Sequence, residues 1–172
     1  AHMTVRARDS FVVAIYPNSR GIAFVVFEGA RTLIDWGLRG ARSKHNHDRY
    51  VAAIGDLFAL YQPAVLVLQN MDPAGTRRSR RIRTLNAEIV ELAAGLSISV
   101  HAYSRVQVRD AFAELKGATK EAIANAIAEE IPALRRHLPP PRKPWNSEHA
   151  RMGVFDAAAL ALTFLKSSDE RS

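Results

Sequence analysis

Phe11-Val12-Val13-Ala14-Ile15-Tyr16-Pro17-Asn18-Ser19-Arg20-Gly21-Ile22-Ala23-Phe24-Val25-Val26-Phe27 is a pair of β-branched and aromatic runs set around a cluster of turn formers. The segment reads as a hairpin: a strand from Phe11 to Ile15, a five-residue connection over Pro17 to Gly21, and a strand from Ile22 to Phe27. Glu28-Gly29-Ala30 makes the next turn. Thr32 to Leu38 then supplies a third strand, whose rough alternation of apolar and polar residues suits an antiparallel sheet with one wet face.

Downstream the period changes. Val51, Ile54, Leu57, Phe58 and Tyr61 recur at helical spacing, so Arg49 to Tyr61 is a helix, with Asn46 or Asp48 as cap and Pro63 as its stop. Ala64 to Leu68 is wholly apolar, as expected of a strand covered on both faces in a parallel sheet. A second helix starts near Ser79 and ends at a Gly95 cap, and Ile98 to Tyr103 is the fifth strand. Ser104 to Leu115 is a short helical segment, Gly117-Ala118 a break, and Lys120 to Ile131 a helix capped by Thr119 and stopped by Pro132. Residues 137–147, with Pro139-Pro140-Pro141 and Pro144, read as an exposed connector or flap. Ser147 is the expected cap of a last, alanine-rich helix running to about Lys166. The order is β-β-β-α-β-α-β-α-α-α. It describes an α/β domain with a mixed five-stranded sheet, three antiparallel strands then two parallel, flanked by helices.

The 172 residues suffice for one domain, expected over residues 4–167, with Ala1-His2-Met3 as an expression scar. At 48% apolar and 24% charged the chain is not of disordered type, and no apolar run approaches the roughly 20 residues of a membrane-spanning helix. No membrane partner is expected. The absence of cysteine removes disulfides, cysteine-ligated zinc and thiol catalysis, and a cytoplasmic location is expected. The net charge is +7, and 19 of the 24 basic residues are arginine, whose planar fork suits phosphate. A polyanionic partner is the leading expectation.

Three motifs, taken in order, carry a resemblance over Phe11 to Leu165: Ala14-Ile15-Tyr16-Pro17-Asn18-Ser19-Arg20-Gly21 on the first strand, Val67-Leu68-Gln69-Asn70 at the end of the fourth, and Phe155-Asp156-Ala157-Ala158-Ala159-Leu160-Ala161-Leu162 on the last helix. With Gln107-Val108-Arg109 and Gly117-Ala118-Thr119-Lys120-Glu121 between them, the chain resembles the RuvC family of Holliday-junction resolvases in the RNase H-like superfamily. The resemblance implies an RNase H-like fold, DNA-facing Arg109 and Lys120, affinity for branched or duplex DNA, and a homodimer. It also implies a site of about four acids around divalent metals. Here Tyr16 stands at the first-strand aspartate, Gln69 at the strand-four glutamate and Gly153 one turn before Asp156, so only Asp156 keeps its acid. One carboxylate beside a phenol and an amide cannot balance two divalent ions. No metal or other cofactor is expected, Asp156 being the ligand if any binds.

A relocated site is the rival, and it would make the chain a magnesium- or manganese-dependent endonuclease. Its candidates are His149, two helical turns before Asp156, with Glu148, Asp72 and Asp35. The blander alternatives are that Glu148 and His149 suit a helix N-terminus and that Asp156 hydrogen-bonds Tyr16 or Gln69. Lys44-His45-Asn46-His47-Asp48 has transition-metal spacing but lacks a further partner, and capping of the next helix explains it as well.

Thr76-Arg77-Arg78-Ser79-Arg80-Arg81-Ile82-Arg83 puts five arginines in seven residues. Such charges repel unless a polyanion relieves them, and a helix start worsens the repulsion while offering free amides to phosphate. Arg77, Arg78, Arg80, Arg81 and Arg83 are therefore candidate nucleic-acid contacts beside the would-be active site, against the alternative of a merely solvated face. Lys116, Arg135, Arg136, Arg142 and Lys143 extend the candidate surface. The sequence thus points to a nucleic-acid partner, DNA before RNA, held without cleavage. A protein-interaction scaffold is the third reading.

Overall fold

The computed structural model describes residues 10–18, 20–29, 32–39, 47–71, 79–115, 118–141, 143, 145 and 150–169. The five strands are β1 (Phe11–Asn18), β2 (Gly21–Glu28), β3 (Thr32–Arg39), β4 (Val65–Gln69) and β5 (Ser99–Tyr103). They lie in the order β3-β2-β1-β4-β5. β2 is antiparallel to both β1 and β3, while β4 is parallel to β1 and β5, which is the mixed sheet expected.

The opening hairpin is tighter than its composition suggests. Pairing continues to Asn18 against Gly21, so the connection is two residues and not five. Asn18 accepts the Arg20 N–H on its side-chain oxygen at 2.8 Å, and Gly21 takes a φ of 139° that side-chain-bearing residues rarely adopt. Pro17 stays within the strand. It lies past the last β1–β4 pair, Ala14 with Val67, so on that side its missing N–H costs no ladder bond.

Period-two alternation divides the interior into two cores. Val13, Ile15, Ile22, Phe24, Leu66 and Leu68 pack with α1 (His47–Tyr61) and α2 (Arg80–Gly95) on one face. Val12, Ala14, Ala23, Val25 and Val67 pack on the other with α4 (Lys120–Glu130) and α5 (Met152–Asp169), against which α3 (Arg105–Ala111) leans through Val108 and Ala111. β4 is buried from Leu66 onward because both cores need it. α5 is apolar nearly all round because α4 covers it from outside, and its alanines at 157, 158, 159 and 161 are all buried. No helix among the described residues is long and apolar enough to cross a membrane.

Ser79, Ser104 and Thr119 cap α2, α3 and α4, each accepting a first-turn N–H, and Gln107 completes a capping box with Ser104. Other termini differ from expectation. α1 starts at His47, which puts Asp48 inside the first turn, where its charge complements the helix dipole instead of capping. α2 is not closed by Gly95: Leu96 donates to Ala93 O at 3.1 Å and Ser97 takes the left-handed turn at φ 59°. α5 begins at Met152, five residues after the expected Ser147 cap, which lies outside the described residues. Pro132 to His137 form a 3-10 turn, after which Pro140 and Pro141 are exposed.

Candidate functional site

Tyr16 on β1 shares the side-chain parity of Val12 and Ala14, and Gln69 at the end of β4 that of Val65 and Val67. Both therefore face α5, toward the carboxyl ends of the central strands. Asn70 N–H donates to Tyr103 O at 2.8 Å, which ties the end of β4 to that of β5 and places Tyr103 beside Gln69. Asp156, one turn into α5, closes the group. Tyr16, Gln69, Tyr103 and Asp156 line a single cleft of about 410 Å³, joined by Lys120 from the first turn of α4 and by Arg105 and Arg109 from α3.

Asp156 is only 14% exposed, and its carboxylate Oδ2 lies 3.3 Å from the Lys120 ammonium. The same ammonium stands 5.7 Å from the centre of the Tyr16 ring, within cation–π reach. A lysine in the first turn of a helix opposes the dipole, and the Asp156 charge offsets that. The sequence put forward Tyr16 or Gln69 as the partner of Asp156 and Lys120 as a DNA-facing residue; the geometry adds Lys120 as a partner of Asp156, with Tyr16 beside it. Gln69 is 5% exposed and its Oε1 has no hydrogen-bond partner among the described residues. Leaving a buried acceptor unmatched costs about 1–3 kcal/mol.

Gly153 occupies a different setting from the one assigned to it. A Cβ there would lie 2.9 Å from Asn18 Nδ2, closer than such atoms sit, and 3.0 Å from Ala23 Cβ, a tight contact. The start of α5 is packed directly on the tight hairpin, so a side chain at 153 requires the Asn18 amide to turn aside and the Ala23 contact to give by a few tenths of an ångström.

The other candidates separate. Asp35 accepts the Tyr61 hydroxyl of α1 at 2.6 Å. That bond first, then burial and the carboxylate's own charge, raises the Tyr61 pKa above its ordinary 10.0. The contact ties Asp35 to the helix on the far face of the sheet from Asp156, so Asp35 does not belong to a relocated site. His149, Glu148 and Asp72 lie outside the described residues, and because α5 starts at Met152 the helical-face argument linking His149 to Asp156 does not apply. His47 contacts Glu88 of α2 at 2.5 Å, while Lys44, His45 and Asn46 lie outside the described residues. Among the described residues no three His, Asp or Glu side chains group as metal ligands.

Arg80, Arg81 and Arg83 are exposed on the first turns of α2; Arg77 and Arg78 lie outside the described residues. α2 packs on the α1 face, so these arginines share the sheet's carboxyl edge with the cleft but stand on the opposite face and do not line it. Tyr103 and Arg105, which do, were missed in the sequence. Their signal was the strand end itself, followed by a Ser104 cap that fixes where α3 starts.

Divalent metal pairs require several anionic oxygens. Here the ends of β1 and β4 supply a phenol and an amide, Asp156 is already paired with an ammonium, and the cleft lining carries three cations, Lys120, Arg105 and Arg109, against the carboxylates of Asp156 and Glu121. This donor set does not fit a metal pair.

No family model matches the chain, and no curated protein matches it by sequence. Solved structures do match by shape. Thermus thermophilus RuvC superposes with a TM-score of 0.65 at 18% identity, over 93% of this chain and 96% of that one, both alone and in complex with Holliday junction substrate. The yeast mitochondrial Holliday junction resolvase Ydc2 gives 0.62 at 12% identity, over 94% and 80%. The fold is RuvC-like. It has the RNase H-like arrangement anticipated from the three motifs, and the RuvC-like sheet brings all three to one place, at the ends of β1 and β4 and the start of α5.

Proposed function

We propose that this chain is a nucleic-acid-binding RuvC-like domain that holds structured or branched DNA without cutting it. The observation that carries the reading is the Lys120–Asp156 pair: where a metal-dependent nuclease needs concentrated negative charge, this cleft holds an ammonium 3.3 Å from its half-buried carboxylate. Phosphodiester hydrolysis by metal ions needs a metal-activated water and a stabilised leaving oxygen. Neither Tyr16 nor Gln69 offers an anionic oxygen to support them at neutral pH. Cationic side chains attract a phosphate backbone regardless of catalysis, and exposed Arg80, Arg81 and Arg83 add to the attraction. The likeness in shape to RuvC, which is solved with a Holliday junction, supports a branched substrate. A homodimer suits a junction whose strands are related by two-fold symmetry.

The test compares four-way junction, duplex and single-stranded DNA in gel-shift assays with EDTA, magnesium or manganese. Salt-dependent binding that is strongest for the junction, unaffected by EDTA and unaccompanied by cleavage, is the expected result. Manganese-dependent cleavage lost on Asp156→Ala would replace this reading with an endonuclease, and no salt-dependent binding would replace it with a protein-interaction scaffold. Light scattering with and without junction DNA tests the dimer.

A further inference from the structure

The cleft has two halves of different chemistry. Its cationic part is Lys120, Arg105 and Arg109; its apolar wall is built from Val108, Ile123, Ala124, Phe155, Ala159 and Leu160. A site for a phosphodiester alone needs the first half and gains nothing from the second. Gln69 lines the same cleft, and its Oε1 is buried and without a hydrogen-bond partner among the described residues. Tyr16 and Tyr103, both half-buried, stand beside it at the ends of β1 and β5. At about 410 Å³ the space falls in the range of small-ligand pockets.

We propose that the cleft receives one unpaired nucleotide, its phosphate on Lys120 and the arginines, its base against the apolar wall, and a base N–H donated to Gln69 Oε1, with no metal taking part. The inference rests on the nucleic-acid reading above and names the unit recognised. Each component has a complement on the page. An ammonium has three donors, so Lys120 can take a phosphate oxygen while one N–H stays on Asp156, whose contact at 3.3 Å is longer than the roughly 2.7–2.9 Å of a tight charge-assisted bond. Every base has a π-face for the tyrosines and at least one N–H on its pairing edge, which is exposed only when the base is unpaired. Gln69 Oε1 is the acceptor that such a donor satisfies, and its burial makes the bond worth more than one in water.

The experiment uses the full chain in EDTA. Calorimetry with deoxyadenosine monophosphate, deoxyadenosine and inorganic phosphate reads the two halves separately, and competition against labelled single-stranded DNA reads whether they belong to the DNA site. The monophosphate is expected to bind at least about tenfold more tightly than either fragment, which is the worth of one buried hydrogen bond or more, and to displace the DNA. Gln69→Leu should weaken the monophosphate about tenfold, leave inorganic phosphate unchanged and raise the melting temperature of the free protein, because it removes an unmatched acceptor. Lys120→Met should weaken both the monophosphate and phosphate. Monophosphate binding no tighter than phosphate, or a lowered melting temperature for Gln69→Leu, overturns the inference. If DNA binds and the monophosphate neither binds nor competes, the inference falls and the nucleic-acid reading stands; if DNA does not bind either, both fall.

Discussion

One edge of the sheet presents positive charge in two ways. On the α5 face, Lys120 is drawn into a cleft and matched to a half-buried carboxylate. On the α2 face, Arg80, Arg81 and Arg83 are spread over the first turns of a helix, exposed. Compensated charge is fixed in direction and acts at short range, so it serves to position a bound group. Charge spread over an exposed surface acts over about a Debye length, ~8–10 Å in physiological salt, and serves mainly to attract a polyanion. The two faces thus present charge of different reach, and among the described residues neither gathers acids as metal ligands would.

The strongest challenge to this contrast is to place the same new carboxylate on each face. Gly153→Asp should lower unfolding stability by about 1–3 kcal/mol, since it overpacks the contact of α5 with Asn18 and Ala23. Arg81→Asp, in an exposed first turn, should change it by no more than about 0.5 kcal/mol. Urea unfolding of both variants measures the difference, and equal costs would mean that the cleft face is not closed by packing. Next in size is the effect on binding. Arg80, Arg81 and Arg83 replaced together by alanine should reduce the slope of log affinity against log salt by about 0.9 for each phosphate that the variant no longer neutralises on duplex DNA, with folding intact. An unchanged slope would transfer the long-range attraction to Arg105, Arg109 and Lys120.

A smaller change should follow Asp156→Asn. Removing the carboxylate while keeping its shape releases Lys120 to phosphate, so DNA affinity measured by fluorescence anisotropy should rise a few-fold, by analogy with the modest worth of a partly exposed ion pair. A fall in affinity would show that Asp156 positions Lys120 and does not merely restrain it. The smallest effect lies outside both surfaces, at Tyr61. Its pKa is raised in the folded chain by donation to Asp35, so its contribution to stability is complete below the unfolded value near ~10 and is lost as pH rises through the folded value. The gap in unfolding stability between the unmodified chain and Tyr61→Phe should therefore stay constant from pH 7 to about 10 and narrow above that, with DNA binding unchanged at pH 7.

The sheet was readable because its information is local. Apolar runs alternate with period two, Ser79 and Thr119 announce their helices by hydrogen-bonding chemistry, and β4 declares its double burial by having no polar residue before Gln69. Errors arose where a local signal had a second use. Pro17 and Asn18 are turn formers by type, yet here Pro17 stays in the strand and Asn18 closes a two-residue turn from its last position. Ser147 is a good cap by type, but α5 starts where its apolar side chains first reach the sheet, at Met152. The convergence of Tyr16, Gln69 and Asp156 was anticipated from motif order. That Lys120 joins them was not, because a pairing across 36 positions leaves no periodic trace, and the arginine run looked adjacent to the cleft because position along the chain does not say which face of a sheet a helix covers.

The packing of Gly153 has a consequence for how such a site changes over a succession of mutations. Because Asn18 and Ala23 crowd the space beside residue 153, a substitution there is coupled to the hairpin. An acid at 153 is tolerated better once residue 18 is smaller or its amide has turned aside. A change at residue 18 that leaves the fold intact thus alters what position 153 can accept, so the two positions change together more readily than either does alone.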